Sequence, residues 1–422
     1  MITRQRSVLT VEGNVADPDP ARGRETTPRR IEIDLSTGLI TGVTAPRGTG
    51  DLVLGDDHII FPGFIDVHVH AREDATGSEA YKESFQTAGE AALRGGVTAI
   101  AEMPNNPQPP VDDSSYLSKK ELARRCSVDV LLYALIGPQS RPLSFAAPYK
   151  AYMGPSVGDV FFHDEEQLRE ALARYRGHLV AFHAELPELL RRHQGAATHE
   201  ARRPPEAEVE AVELALRLSE NYQIEPHICH LSTAEGLERI REARARGVRV
   251  TCEVTPHHLY YDQDNAGTYA RPRFLQCNPP IRSRLDRIAL LEGLRQGDID
   301  YLASDHAPHT IEEKERGASG LTHLDTYGSF VFWLLEEEGF RLADISRVCA
   351  ENPGRFLSRF LSRRYGKIAP GYAGSLTVLK RDPVTVRRSD LRTRAGWSAF
   401  EGQSFAGRVS HTIVRGNVHP QE

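Results

Sequence analysis

His68 and His70 stand one residue apart in FPGFIDVHVHARED, at the end of an apolar run. On a β-strand, residues i and i+2 share a face, so both imidazoles can reach one point. Alone, such a pair reads equally well as two metal ligands or as two polar residues on an ordinary strand. Recurrence changes the balance. His183 ends LVAFHAE, His230 ends PHICH, Asp305 ends DYLASD, and Lys150 lies in FAAPYKAY. Four histidines and an aspartate at the ends of successive apolar runs make a nitrogen and oxygen donor set without thiolates, which suits Zn2+ or a similar first-row divalent ion. His257 and His258 of TPHHLYY fit either a core or a supporting position. Glu253 in TCEVTP is a candidate supporting carboxylate, and Cys229 reads as a buried core cysteine. His193 and His199 fall in RRHQGAATHEARR, an Arg-rich stretch that reads as solvated surface.

The elements that must position these groups alternate. IIFPGFIDVHVH reads as a strand, and EAYKESFQTAGEAALRGG has helical spacing and a Gly95-Gly96 stop. VTAIAEM, DVLLYALIG, HLVAFHAE, EPHICHLS, VRVTCEVTP and IDYLASDHAP follow as strands, several of them separated by helical patterns such as EAEVEAVELALRLSENY. This alternation predicts parallel βα units, and their number predicts a closed (β/α)8 TIM-like barrel over residues 61–365, with an open doubly wound sheet as the other reading. Such barrels carry their active sites at the C-terminal ends of the strands. Both chain ends have a different texture. Residues 17–30 read as a loop, RIEIDLSTGLITGV as a hairpin, and strands return in KIAPGYAGSLTVLK and GRVSHTIVRGNVHP. Residues 1–60 and 366–422 are expected to join in one small β-sandwich domain.

Composition narrows the function. The 422 residues carry 52 basic and 58 acidic side chains, a net charge of −6, so no basic field points to nucleic acid or an anionic membrane. No apolar run approaches the roughly 20 residues needed to span a bilayer. The N-terminal residues lack a long apolar stretch of the signal-peptide kind. Five scattered cysteines with no CxxC pair suit a reducing compartment. A cytoplasmic enzyme of a small molecule is the expectation.

Eight motifs in order, PGFIDVHVHAR, EMPNN, YKAY, VAFHAE, HICHLS, TCEVTPHHL, NPPIR and SDHAPHT, resemble those of the cyclic amidohydrolases, and among them the dihydroorotase family. The tail GKIAPGYAGSLTVL is similar to the end of that superfamily. The resemblance implies two zinc ions bridged by hydroxide and a carboxylated Lys150. His68 and His70 match the ligands of the first metal, His183 and His230 those of the second, and Asp305 the carboxylate that binds metal and moves the proton. The implied reaction is reversible interconversion of N-carbamoyl-L-aspartate and L-dihydroorotate in pyrimidine synthesis, with the hydroxide attacking the ring amide. Arg72 occupies the third alternate position after His68 and His70, and its planar fork suits a carboxylate. Asn105 and His309 match the family's other carboxylate contacts, and Asn278 a residue near the ring amide. An allantoinase or a hydantoinase-type hydrolase is the alternative. The resemblance also implies a homodimer or higher oligomer, and allows association with another pyrimidine-pathway enzyme. REDA stands where the family has Arg-Glu-Pro-Gly, AGSL where it often has DADL, and GASGLTHLDT where it has a Pro- and Gly-rich turn. This last departure puts ring contacts by Gly320 and its neighbours in question. MGPSVGDV, residues 153–160, reads as a lid.

Overall fold

The computed structural model describes residues 7–17, 25–155 and 161–421. The proposed lid falls largely on residues outside this set, as does half of the loop expected over 17–30, and residues 27–30 of that loop instead begin a strand.

The alternation in RIEIDLSTGLITGV makes a hairpin: Thr27–Asp34 runs antiparallel to Leu39–Thr44. Strands from both chain ends share one mixed sheet of eight strands, in which His58–Pro62 pairs antiparallel with Leu376–Lys380. Its apolar residues, including Val11, Ile31, Ile60, Val378 and Ile413, form a core separate from the barrel's.

The barrel strands are Phe64–Val69, Val97–Glu102, Asp129–Leu132 continued by Ala134–Leu135, Tyr149–Tyr152, Leu179–His183, Glu225–Ile228, Thr251–Val254 and Tyr301–Leu302. Neighbours in this order pair in parallel. The first two strands are buried along their whole length, as parallel strands covered on both faces must be. The seam between the last and first strands is made beyond the last strand's regular part. Val69 bridges His306, and the His70 N–H donates to the His306 carbonyl at 2.8 Å. Asp66 Oδ1 spans the same seam, accepting from the N–H groups of His68 and Ser304 at 3.1 and 3.0 Å.

Helices Phe85–Arg94, Asp113–Ala123, Glu165–Leu172, Pro205–Tyr222, Ala234–Ala245, Arg284–Gln296 and Tyr327–Glu336 cover the strands. Residues 136–148, between the third and fourth strands, contain no helix. Two sequence expectations shift. The helix expected from Glu79 begins at Phe85, because the Ser84 hydroxyl accepts from the Thr87 N–H and caps it there. IIFPGFIDVHVH is two strands in two sheets, parted at Gly63, whose N–H donates to the Ser375 carbonyl at 2.9 Å. Thr377 Oγ1 locks this junction, accepting from the Phe64 N–H at 2.8 Å and donating to the Gly96 carbonyl at 2.6 Å. Among the described residues, no helix is long and apolar enough to cross a membrane.

Candidate active site

The C-terminal ends of the barrel strands converge on a small cavity lined by His68, His70, Lys150's neighbour Tyr152, His183, His230 and Asp305. The ligand atoms of His68, His70 and Asp305 lie within 4.8 Å of one another. Asp305 Oδ1 is 3.2 Å from His68 Nε2 and 3.1 Å from His70 Nε2. On the other side, His183 Nδ1 and His230 Nε2 are 2.9 Å apart. The rings of His68 and His230 join the two groups, with centroids 5.4 Å apart.

In three of these histidines the nitrogen facing away from the cluster is held by an oxygen acceptor. His68 Nδ1 contacts Glu253 Oε1, His70 Nδ1 contacts Asn105 Oδ1, and His183 Nε2 contacts Glu185 Oε2. This outer arrangement fixes ring orientation and tautomer, and it is the pattern that surrounds metal-binding imidazoles. Glu253 is fully buried, contacts His227 Nε2 at 2.9 Å and accepts from the His230 N–H at 3.1 Å. Glu185 is braced by Arg203.

The electrostatics favour a cation at the cluster. Burial disfavours the His68 imidazolium, yet Glu253 and Asp305 hold its pKa up at about 10. Burial, aided by Arg72, pushes His70 down to about 3 against the pull of Asp305. Burial opposes the Asp305 anion, but His68 and His70 hold it down at about 2. A divalent ion replaces the proton that such carboxylates otherwise attract to His68. The donor set, the held outer nitrogens and the trapped negative charge all fit a metal centre.

Lys150 is buried, and its Nζ touches Cys229 Sγ at 2.8 Å with the Tyr152 ring 5.2 Å away. Among the described residues no carboxylate pairs with it.

Arg72 is buried beside this group. Its Nε donates to the Pro308 carbonyl at 3.3 Å, its Nη2 lies 3.5 Å from His309 Nε2, and its Nη1 has no hydrogen-bond partner. Asn278, which lines the cavity, also has a buried oxygen, Oδ1, without a hydrogen-bond partner. Asn105 Oδ1 is taken by His70, so only its amide N–H groups remain for a ligand. His309 is oriented by Glu313 at 3.2 Å, and burial with Arg72 nearby pushes its pKa down to about 3.

Arg72, His230 and Asp305 have φ of +59°, +38° and +45°. Side chains rarely accept this left-handed region, and strain of this kind collects at functional sites, held by surrounding structure.

Sequence reasoning gave no role to Tyr152, Ser319 or Glu185. Tyr152 follows Lys150, and Glu185 follows His183, at the same-face spacing that exposed His70, so the alternation could have found both. Ser319 and Gly320 do line the cavity, although their segment departs from the family turn. His199 is not simply solvated: its Nε2 contacts the Cys277 carbonyl at 2.9 Å. His258 is satisfied by Thr255 and Pro279, and His257 stacks on His323.

The amidohydrolase family profile matches residues 59–419. The chain belongs to the amidohydrolase family. This amidohydrolase is 33% identical to a dihydroorotase of Pyrococcus furiosus over 401 residues, 93% of this chain and 90% of the relative. It is 35% identical to a dihydroorotase of Pyrococcus horikoshii over 376 residues, 88% of this chain and 83% of the relative. Among solved structures, the L-hydantoinase (dihydropyrimidinase) from Arthrobacter aurescens superposes with a TM-score of 0.87 at 26% identity, covering 98% of this chain and 96% of the other. A dihydropyrimidinase from Brevibacillus agri NCHU1002 shares the fold, with a TM-score of 0.82 at 21% identity over 97% of this chain and 94% of the other.

Proposed function

We propose that this amidohydrolase is a zinc-dependent dihydroorotase, interconverting L-dihydroorotate and N-carbamoyl-L-aspartate. The observation that carries the substrate is Arg72 Nη1, a buried cationic donor without a protein partner in a barrel whose mouth also holds the imidazole of His309. Leaving it unpaired is costly, and a substrate carboxylate satisfies it with charge-assisted hydrogen bonds. Allantoin and hydantoin bring no such group.

His68, His70, His183, His230 and Asp305 would hold two zinc ions, with Lys150 between them. Carboxylation of Lys150 suits a buried amine that has no carboxylate partner among the described residues, since CO2 turns it into an anion. When bound, the ions supply a water of lowered pKa and polarise the amide carbonyl. The chain's own residues do the rest. Arg72, His309 and the Asn105 amide hold the carboxylate, and Asn278 faces the ring. Asp305, at the cavity wall, takes the proton released as water adds to the ring carbonyl. It delivers that proton to the ring nitrogen as the C–N bond breaks, and the nitrogen stays on the product as its ureido group. In reverse, Asp305 receives the proton from the closing nitrogen. The five unpaired cysteines accord with a cytoplasmic setting.

The hydantoinase reading rests on the fold likeness. Assays of dihydroorotate, hydantoin and allantoin side by side separate the two. Dihydroorotate is expected to be the preferred substrate, and Arg72→Ala to lower its kcat/KM by about 30- to 5,000-fold, the range for truncating one partner of a buried hydrogen-bonded charge pair. Native mass spectrometry is expected to show one CO2 on Lys150. Faster turnover of hydantoin, undiminished in Arg72→Ala, would overturn the assignment.

A further inference from the structure

Lys314 is fully buried although it stands in IEEKER, a stretch of charged side chains on the short helix Ile311–Glu315. Among the described residues no carboxylate pairs with it. Its Nζ donates instead to three backbone carbonyls: Gln276 at 3.0 Å, Ala318 at 2.7 Å and Gly320 at 2.8 Å. These three bonds use every hydrogen an ammonium has. They belong to two separate segments. Gln276 lies two residues before Asn278, and Ala318 and Gly320 flank Ser319; Asn278, Ser319 and Gly320 all line the cavity. The Gln276 carbonyl also receives the Gly320 N–H at 3.0 Å, and the Gln276 amide reaches Ser319 Oγ at 3.1 Å. The helix that carries Lys314 starts from Thr310, next to His309. One amino group therefore ties together three walls of the site. The Trp397 ring lies 5.5 Å from Nζ and closes it off from solvent.

We propose that Lys314 is a positioning residue: it holds the Ser319–Gly320 backbone and the Asn278 loop at the separation that receives the substrate ring. The Pro- and Gly-rich turn that the resemblance leads one to expect here is replaced by GASGLTHLDT, and Lys314 is what gives this segment a fixed shape. The inference rests on the dihydroorotase reading for its substrate, though not for its geometry. A purely structural filler at this position would be better served by an apolar side chain, because a buried ammonium carries a desolvation penalty.

The test is Lys314→Met, which keeps the length and removes the donors, assayed as the zinc-loaded enzyme with dihydroorotate. KM is expected to rise about tenfold, the loss of one to two hydrogen bonds' worth of binding, with kcat changed less than about threefold and zinc content unchanged. Lys314→Gln, which retains two donors, is expected to fall between wild type and Met, and it serves if the Met variant does not fold. An unchanged KM in folded, zinc-replete Met or Gln variants overturns the proposal. So does a loss in which kcat falls in step with bound zinc or folded fraction while KM stays put. If the wild type turns over hydantoin and not dihydroorotate, the substrate assignment fails alone, and the same KM criterion is applied with hydantoin.

Discussion

Glu253 shows how much of this site is carried by groups that need not touch the substrate. Its two oxygens reach His68, His227 and the His230 backbone. It therefore orients one ligand of each proposed metal. Glu253→Gln keeps the shape and removes the charge, and it is expected to weaken zinc affinity by about 10- to 100-fold. Chelator competition measures this, and wild-type affinity would remove Glu253 from the account. The same carboxylate explains a limit of sequence reading. His68 and His70 could be found because a strand's period of two puts them on one face. Glu253 could be singled out in TCEVTP as a supporting carboxylate, but it lies on a different strand, far away in sequence, and no local pattern names His68 as its partner. Lys314 is hidden more thoroughly, since IEEKER has the look of a solvated surface.

At the scale of elements, the strands were legible and their ends were not. Period two and apolar runs mark seven of the eight barrel strands; Tyr149–Tyr152, only four residues long, is not among them. The seam at Val69 and His306 depends on a residue past the last regular strand, and residues 136–148 give no helix where alternation suggests one. The loop 317–321 is sensitive to single changes. Gly320 has a φ of +138°, and a Cβ there would run into the Ala307 carbonyl. Gly320→Ala is expected to lower unfolding free energy by about 1–3 kcal/mol and to raise KM as Ser319 shifts. Denaturant titration with parallel kinetics reads both, and a variant equal to wild type in both would show that the loop tolerates the strain.

For the whole molecule, stability should depend on pH through Lys314. Burial pushes its pKa down from 10.5 to about 7. Between those values the unfolded chain holds a proton that the folded chain has lost, so the folded state gains on the unfolded one as pH rises. Below about pH 7 both states are protonated and the contribution is flat. The unfolding free energy of wild type minus that of Lys314→Met is expected to increase from pH 7 to pH 10, by at most about 1.4 kcal/mol per unit. A difference that stays level with pH would contradict this.

The tie between the two chain ends has a consequence for how the enzyme is made. Trp397 Nε1 donates to the His309 carbonyl at 2.8 Å, and Thr322 Oγ1 to the Trp397 carbonyl at 2.5 Å. Every proposed ligand leaves the ribosome well before Trp397 does, and the strand His58–Pro62 waits for Leu376–Lys380. Synthesis runs from the N-terminus, and domains fold as their parts emerge. A nascent chain that already holds every proposed metal ligand thus lacks the backing of His309, and the site's last wall is set only after Trp397 has emerged.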